Sequence, residues 1–243
     1  MEVLDIKTVF TFAFAGFEVP VTETVLVSWF VMLVLIAASV IFVGRLKEVP
    51  DGPQAVLEAG VEFLDKFGES RFGSLSKFIS PYMGSLFLFL LVANIAGILS
   101  PAEASFFGRE FRPPFSVRPP TRDINVTAAL AAISVVLIPV CGIAARGLRG
   151  WLKHFLYPFP VMLPFNVMEY GIRLSSLALR LFGNILAGVV LMRMIEGVLP
   201  VVLPVIFSLY FDFFDGAIQA VIFVFLTSLY ISEVVLPAEA EAG

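Results

Sequence analysis

The chain is poor in the residues from which soluble enzymes usually build their sites. One cysteine (Cys141) excludes a disulfide framework and a cysteine-based metal site, and one histidine (His154) excludes a histidine cluster. Charge is scarce: 15% of the 243 residues are Asp, Glu, Lys or Arg, against about a quarter in ordinary soluble domains. With 16 Lys and Arg against 20 Asp and Glu, the net charge of −4 argues against nucleic acid as the main partner. What the sequence does have is apolar length, with 59% hydrophobic residues and a mean hydropathy of +0.96. The expected fold is therefore an all-α integral membrane protein, a single membrane domain over residues 1–243, with no room beside it for a large soluble catalytic domain. No cofactor or metal is expected. Any function has to rest on the few polar residues held inside apolar segments.

Five segments are apolar enough to be membrane spans, at about 24–44, 78–102, 124–145, 166–199 and 201–236. The first has no charge, whereas the last two carry several. At ~1.5 Å rise per residue those two would reach roughly 50 Å, well beyond a hydrocarbon core of about 30 Å. They are expected to form a long, strongly tilted hairpin with its hinge at Pro200, in the run Gly197 to Pro204. Between the first two spans, residues 54–69 carry acidic groups at 58, 62, 65 and 69 beside Leu57, Val61 and Leu64. That spacing predicts an amphipathic helix at the membrane surface, covering neighbouring spans.

At the N-terminus, Val9 to Ala15 is apolar, but Glu2 and Asp5 spoil the basic region that a cleaved signal would need, so cleavage is not expected. Orientation follows from loop charge. Five Lys or Arg (Lys7, Arg109, Arg112, Arg118, Arg122) fall on one side and nine on the other (Arg45, Lys47, Lys66, Arg71, Lys77, Arg146, Arg149, Lys153, Arg173). The bias favours an outside N-terminus and an inside C-terminus. The Pro-, Arg- and Phe-rich stretch from Phe106 to Pro120 reads as an ordered outer loop rather than a linker to another domain.

The strongest signal lies in the fourth span. Glu169, Arg173, Ser176, Arg180 and Asn184 are spaced by three or four residues, which at ~100° per residue places all five within an arc of about 80°. Arg180 is flanked by Leu177, Ala178, Leu179, Leu181 and Phe182. A charge at mid-membrane costs ~2.5–3.5 kcal/mol on insertion scales, so it persists where a partner or a hydrated cavity compensates it. One reading is a buried ion pair to Asp212 or Asp215. The other is an interface, since Gly183, Ala187 and Gly188 let another backbone approach. The fifth span has the complementary pattern: Asp212, Asp215 and Gln219 share a helix face, with Thr227 and Tyr230 further along. The two carboxylates suit a cation or proton pathway opening outward, or else a solvated helix start beside Pro204. Gln219 lies deeper, where its amide both donates and accepts. Arg193 and Glu196 read as interfacial anchors.

The run Ser175-Ser-Leu-Ala-Leu-Arg180-Leu-Phe-Gly-Asn184 resembles the signature of subunit a of F-type ATP synthases, the membrane stator beside the rotating c-ring. The resemblance covers nearly the whole chain. Pro81-Tyr-Met-Gly-Ser-Leu-Phe-Leu-Phe with Asn94 resembles the family's second span, Pro120-Thr-Arg-Asp123-Ile-Asn125-Val-Thr127 the start of its third, and Gln219-Ala-Val-Ile-Phe with Tyr230 its last helix. By resemblance, Arg180 falls on the family's essential arginine, Asn184 on the adjacent asparagine and Gln219 on the glutamine opposite. Asp212 takes a position of the outer half-channel, and Asp215 is expected to act with it. The chain also departs from the family pattern. Val189 stands where many members have an acidic residue, Asn166 where many have a glutamate, and Leu174 where a proline is common. Glu169, nearly a turn after Asn166, is the candidate to substitute on the inner side, beside Ser176.

The resemblance implies an ion-translocating stator with no catalysis of its own. Two offset half-channels would lead to and from the rotor carboxylates, with Arg180 between them. The implied partners are the c-ring, the peripheral-stalk subunit b, the rest of the ATP synthase complex and membrane lipid, in a bacterial plasma membrane. Whether the ion is a proton or sodium stays open. The competing functions fit less well. A secondary transporter should show two related halves, an autonomous channel should show pore-lining rings, and a pure scaffold has no use for Arg180 and Gln219 at depth.

Overall fold

A computed structural model of the chain describes residues 8–14, 17–44, 46–47, 49–50, 52–96, 104–106, 109–111, 119–156, 161, 163–198 and 209–242. An antiparallel hairpin, β1 (Thr8–Phe14) with β2 (Phe17–Thr22), leads into α1 (Glu23–Val43). Then come α2 (Pro53–Phe72), a 3-10 turn at Gly73–Leu75 and α3 (Ser76–Ile95). A small hairpin, β3 (Ala104–Phe106) with β4 (Arg109–Phe111), precedes α4 (Ile124–Leu156) and α5 (Leu163–Val198). The chain ends in a π turn (Leu209–Asp215) that runs into α6 (Gly216–Ala242). Four stretches are long and apolar enough to cross a bilayer among the described residues: Glu23–Val43, Pro53–Ile95, Ile124–Lys153 and Phe213–Val235. The fifth long helix, α5, is the one that carries charge along its length. The protein is an all-α, multi-pass membrane protein with two small hairpins.

The sequence reading does not anticipate the first hairpin. Its apolar run pairs as strands, from Thr8 opposite Thr22 to Phe14 opposite Phe17. The third span was placed at 124–145, and α4 breaks at Gly147, whose φ of 71° only glycine adopts without cost. The expected hinge at Pro200 lies outside the described residues, as do the side chains of Arg193 and Glu196.

The chain gathers into two compact units. The first comprises residues 1–36, 88–127 and 179–220. Here Thr22 caps α1, its hydroxyl accepting from the Val25 amide at 3.4 Å, with Glu23 in the first turn to complement the helix dipole. Asp123 caps α4 in the same way, accepting from the Asn125 amide at 2.9 Å. Its second oxygen accepts from Thr24 Oγ1 at 2.8 Å, so both carboxylate oxygens of this buried side chain are satisfied. Val21, Val31, Leu90, Ala93, Leu181 and Ala220 supply the unit's apolar interior.

The second unit comprises residues 37–87, 128–178 and 221–243. Its first feature is a helical hairpin of α2 and α3. Twelve residues of continuous helix would separate Gly68 from Ser80 by about 18 Å, yet a Cβ at Gly68 would meet Ser80 Oγ at 1.8 Å, and one at Gly84 would meet Leu64 at 3.0 Å. The chain folds back at Gly73, another positive-φ glycine. The amphipathic helix expected over 54–69 is thus α2, packed on α3 by its small residues, with Val56, Val61 and Phe63 left exposed. Arg71 reaches from α2 over the ring of Phe225 on α6 at 5.6 Å. Gly142 on α4 lies against Val234 of α6 and Trp151. Phe72, Ile79, Met83, Ile138, Leu177, Ile231 and Val235 fill the interior.

Candidate functional site

In the first unit, Arg180 and Asn184 stand on α5, Asp212 and Asp215 on the π turn, and Gln219 on α6. The sequence periodicity anticipates a regular α-helix through both aspartates. The structure instead winds Leu209–Asp215 with i→i+5 bonds, an arrangement that is rare and concentrated at functional sites. The wider turn changes the angular step, so Asp212 and Asp215 are no longer set relative to Gln219 by α-helical phase.

Two of the anticipated residues come together here: Asn184 Nδ2 donates to Asp215 Oδ2 at 2.5 Å. Both are half-buried, and the carboxylate is held by a neutral amide rather than by a guanidinium. The ion pair of Arg180 with Asp215, one of the two readings above, is not formed. The side chain of Asp212 lies outside the described residues. Arg180 is exposed and makes no hydrogen bond or ion pair among the described residues. The residues that follow it on the same helix face, Gly183 and Ala187, are exposed as well, and a Cβ built on Gly183 would meet nothing within 4 Å. Gln219 is buried at 9% exposure.

In the second unit the grouping is ionic. Arg173 on α5 is buried at 9% exposure. Its Nη2 donates to Glu233 of α6 at 2.6 Å and also to Glu169 one turn earlier on α5, while Nε donates to Glu169 at 3.2 Å. The guanidinium carbon lies over the Tyr230 ring at 4.7 Å, so the cation meets the aromatic quadrupole while its N–H groups serve two carboxylates. The side chains of Glu169 and Glu233 remain substantially exposed. Ser176 is half-buried one turn on. The sequence reading misses Glu233, which sits among apolar residues near the end of α6. Its acidic side chain inside an otherwise apolar run was the available signal.

Comparison with known proteins shows the family of the chain. The family profile described as ATP synthase A chain matches residues 25–232. Among relatives, "ATP synthase subunit a, sodium ion specific" of Propionigenium modestum is 34% identical over 220 residues, 90% of this chain and 76% of the relative. "ATP synthase subunit a" of Moorella thermoacetica is 32% identical over 217 residues, 89% of this chain and 92% of the relative. A match that runs nearly end to end leads to one assignment. The chain belongs to the ATP synthase A chain family, the non-catalytic membrane subunit of the Fo sector.

Proposed function

We propose that this chain is the stator of a rotary ATP synthase, providing two offset half-channels to and from the carboxylates of a c-ring with Arg180 between them. One observation carries the reading: Arg180 is exposed beside the small residues Gly183 and Ala187, with no ion pair or hydrogen bond among the described residues. A permanent internal partner would consume the charge, whereas an open one is available to a carboxylate that arrives and leaves. Small residues beside it let a neighbouring helix approach.

The chemistry follows from electrostatics. A rotor carboxylate crosses lipid neutral, either protonated or ion-bound. Beside a fixed guanidinium the ionised form is favoured, by ~4 kcal/mol at 4 Å and an effective dielectric of 20, before desolvation offsets part of it. Release of the ion is thereby promoted, and the same charge obstructs a direct leak between the half-channels. Asp212 and Asp215 serve the outer half-channel, and Glu169 with Ser176 the inner one. Asn184 and Gln219 flank the arginine on the two helices. Each charge that crosses contributes ~2.3 kcal/mol per 100 mV to rotation.

Besides the c-ring, the partners are the peripheral-stalk subunit b and the remainder of the synthase. The membrane is the bacterial plasma membrane, with the N-terminus outside, as the Lys and Arg distribution favours. The relative named as sodium ion specific keeps sodium beside the proton as the transported ion. ATP-driven pumping into inverted vesicles, followed with both a pH dye and sodium-22, tests the reading. Loss of pumping in assembled Arg180→Ala complexes supports it, and the tracer that moves in the wild type names the ion. Retained pumping in that variant overturns it.

A further inference from the structure

Next to the π turn lies a buried relay of hydrogen bonds that the proposed ion path does not use. Thr121 Oγ1 donates to Asn94 Oδ1 at 2.6 Å, and Asn94 Nδ2 donates to the Gly216 carbonyl at 2.9 Å. Thr121 is fully buried and Asn94 nearly so, at 4% exposure. Thr121 is itself fixed in a 3-10 turn (Pro120–Arg122), closed by the Arg122 amide on the Pro119 carbonyl and the Asp123 amide on that of Pro120. The relay therefore runs from the start of α4, through α3, to the first residue of α6.

Gly216 is where the π turn hands over to the α-helix. Asn94 brings an amide N–H to that place. The approach also requires a glycine: a Cβ at 216 would lie 2.8 Å from Asn94 Cβ, closer than real Cβ atoms come. Asp215 is the neighbouring residue, and its carboxylate is the one that Asn184 holds. Fixing Gly216 fixes the Cα of Asp215 within one peptide unit.

We infer that Asn94 and Thr121 are positioning residues for outer-side ion access, acting through the Gly216 junction to set the carboxylate of Asp215. The inference rests on the outer-channel role proposed above for Asp215. It predicts an effect confined to one side of the membrane, which a general folding role would not produce.

The test uses the intact synthase in vesicles. ATP synthesis is measured against the outer-side ion concentration, and ATP-driven pumping against the inner-side concentration. Thr121→Val removes the hydroxyl at nearly constant volume, and a roughly ten-fold rise in the outer half-saturating concentration is expected from orphaning the Asn94 oxygen. The inner-side value should stay within two-fold, and Thr121→Ser should restore the outer one. Should Thr121→Val not assemble, Asn94→Ser, too short to reach the Gly216 carbonyl, is read the same way. The inference is overturned by an unchanged outer value, by equal shifts on both sides, by a Thr121→Ser variant as impaired as Thr121→Val, or by failure of both substitutions to assemble. Asp215→Asn is measured in parallel. If it raises the outer value while Thr121→Val does not, the relay alone is wrong. If it leaves the outer value at wild type, the outer-channel role of Asp215, on which the inference rests, has failed.

Discussion

Asn184 on α5 donates its side-chain amide to the carboxylate of Asp215, at the end of the π turn, across 2.5 Å. The bond gives Asp215 a neutral partner, while Arg180, four residues before Asn184, is left exposed. A neutral donor stabilises the carboxylate without adding charge, and so leaves the positive charge of α5 available to an outside partner.

Removing that donor should therefore affect transport more than folding. In Asn184→Leu, Asp215 loses its partner and is free to turn towards cationic groups. Ion pumping should fall about ten-fold, the scale of one buried polar partner lost, in complexes that still assemble. Pumping at the wild-type rate would show that the bond has no part in the path.

The two aspartates of the π turn should not be equivalent. Asp215 has one oxygen engaged by Asn184, and an asparagine there retains a carbonyl acceptor for the same bond. Asp212 falls on the position that the family resemblance links to the outer half-channel. Asp212→Asn is expected to slow transport more than Asp215→Asn in assembled complexes. Wild-type rates in both variants would remove the outer-channel assignment.

The fold-back of α2 on α3 makes a prediction about stability alone. A methyl at Gly68 would collide with Ser80 Oγ and press on Ser80 Cβ at 3.1 Å. Gly68→Ala should destabilise the complex by ~1–3 kcal/mol of overpacking, offset only in part by the ~1 kcal/mol of better helix propensity. Ser80 Oγ is buried with no hydrogen-bond partner among the described residues, so Ser80→Ala alone should be close to neutral. The double variant should recover most of the loss. Thermal inactivation of the four complexes checks the cycle, and strict additivity would mean that the two residues do not touch.

Much of this architecture was legible from periodicity. Runs such as Val25–Val43 admit only a membrane helix. The three- and four-residue spacing on α5 brings out a polar face because an α-helix has one fixed angular step. The π turn was not legible, since i→i+5 bonding has no compositional signature and depends on what packs against the turn, here Asn94 on Gly216. Strands β1 and β2 were missed although Thr8-Val-Phe-Thr-Phe-Ala-Phe is rich in β-branched and aromatic residues. Glu233 was overlooked because its partner, Arg173, is 60 residues away in sequence. Only the tertiary fold joins them.

Glu169 gives the sharpest division between structure and function. By resemblance it is the candidate substitute for an inner-side glutamate that the chain lacks at Asn166, and its carboxylate is bound to Arg173. Arg173 also holds Glu233, so neutralising Glu169 leaves the guanidinium one carboxylate and the Tyr230 ring. Partly exposed pairs of this kind contribute about 1 kcal/mol or less. Glu169→Gln should therefore assemble and melt like the wild type, while ion flux measured in both directions falls several-fold, as a role for Glu169 in the inner half-channel requires. Glu233→Gln is the control. Its pair with Arg173 is more exposed still, so it should leave both melting and flux close to wild type. If flux in Glu169→Gln is unchanged in both directions, Glu169 serves only to hold Arg173, and the inner path has to be sought from Ser176 onward.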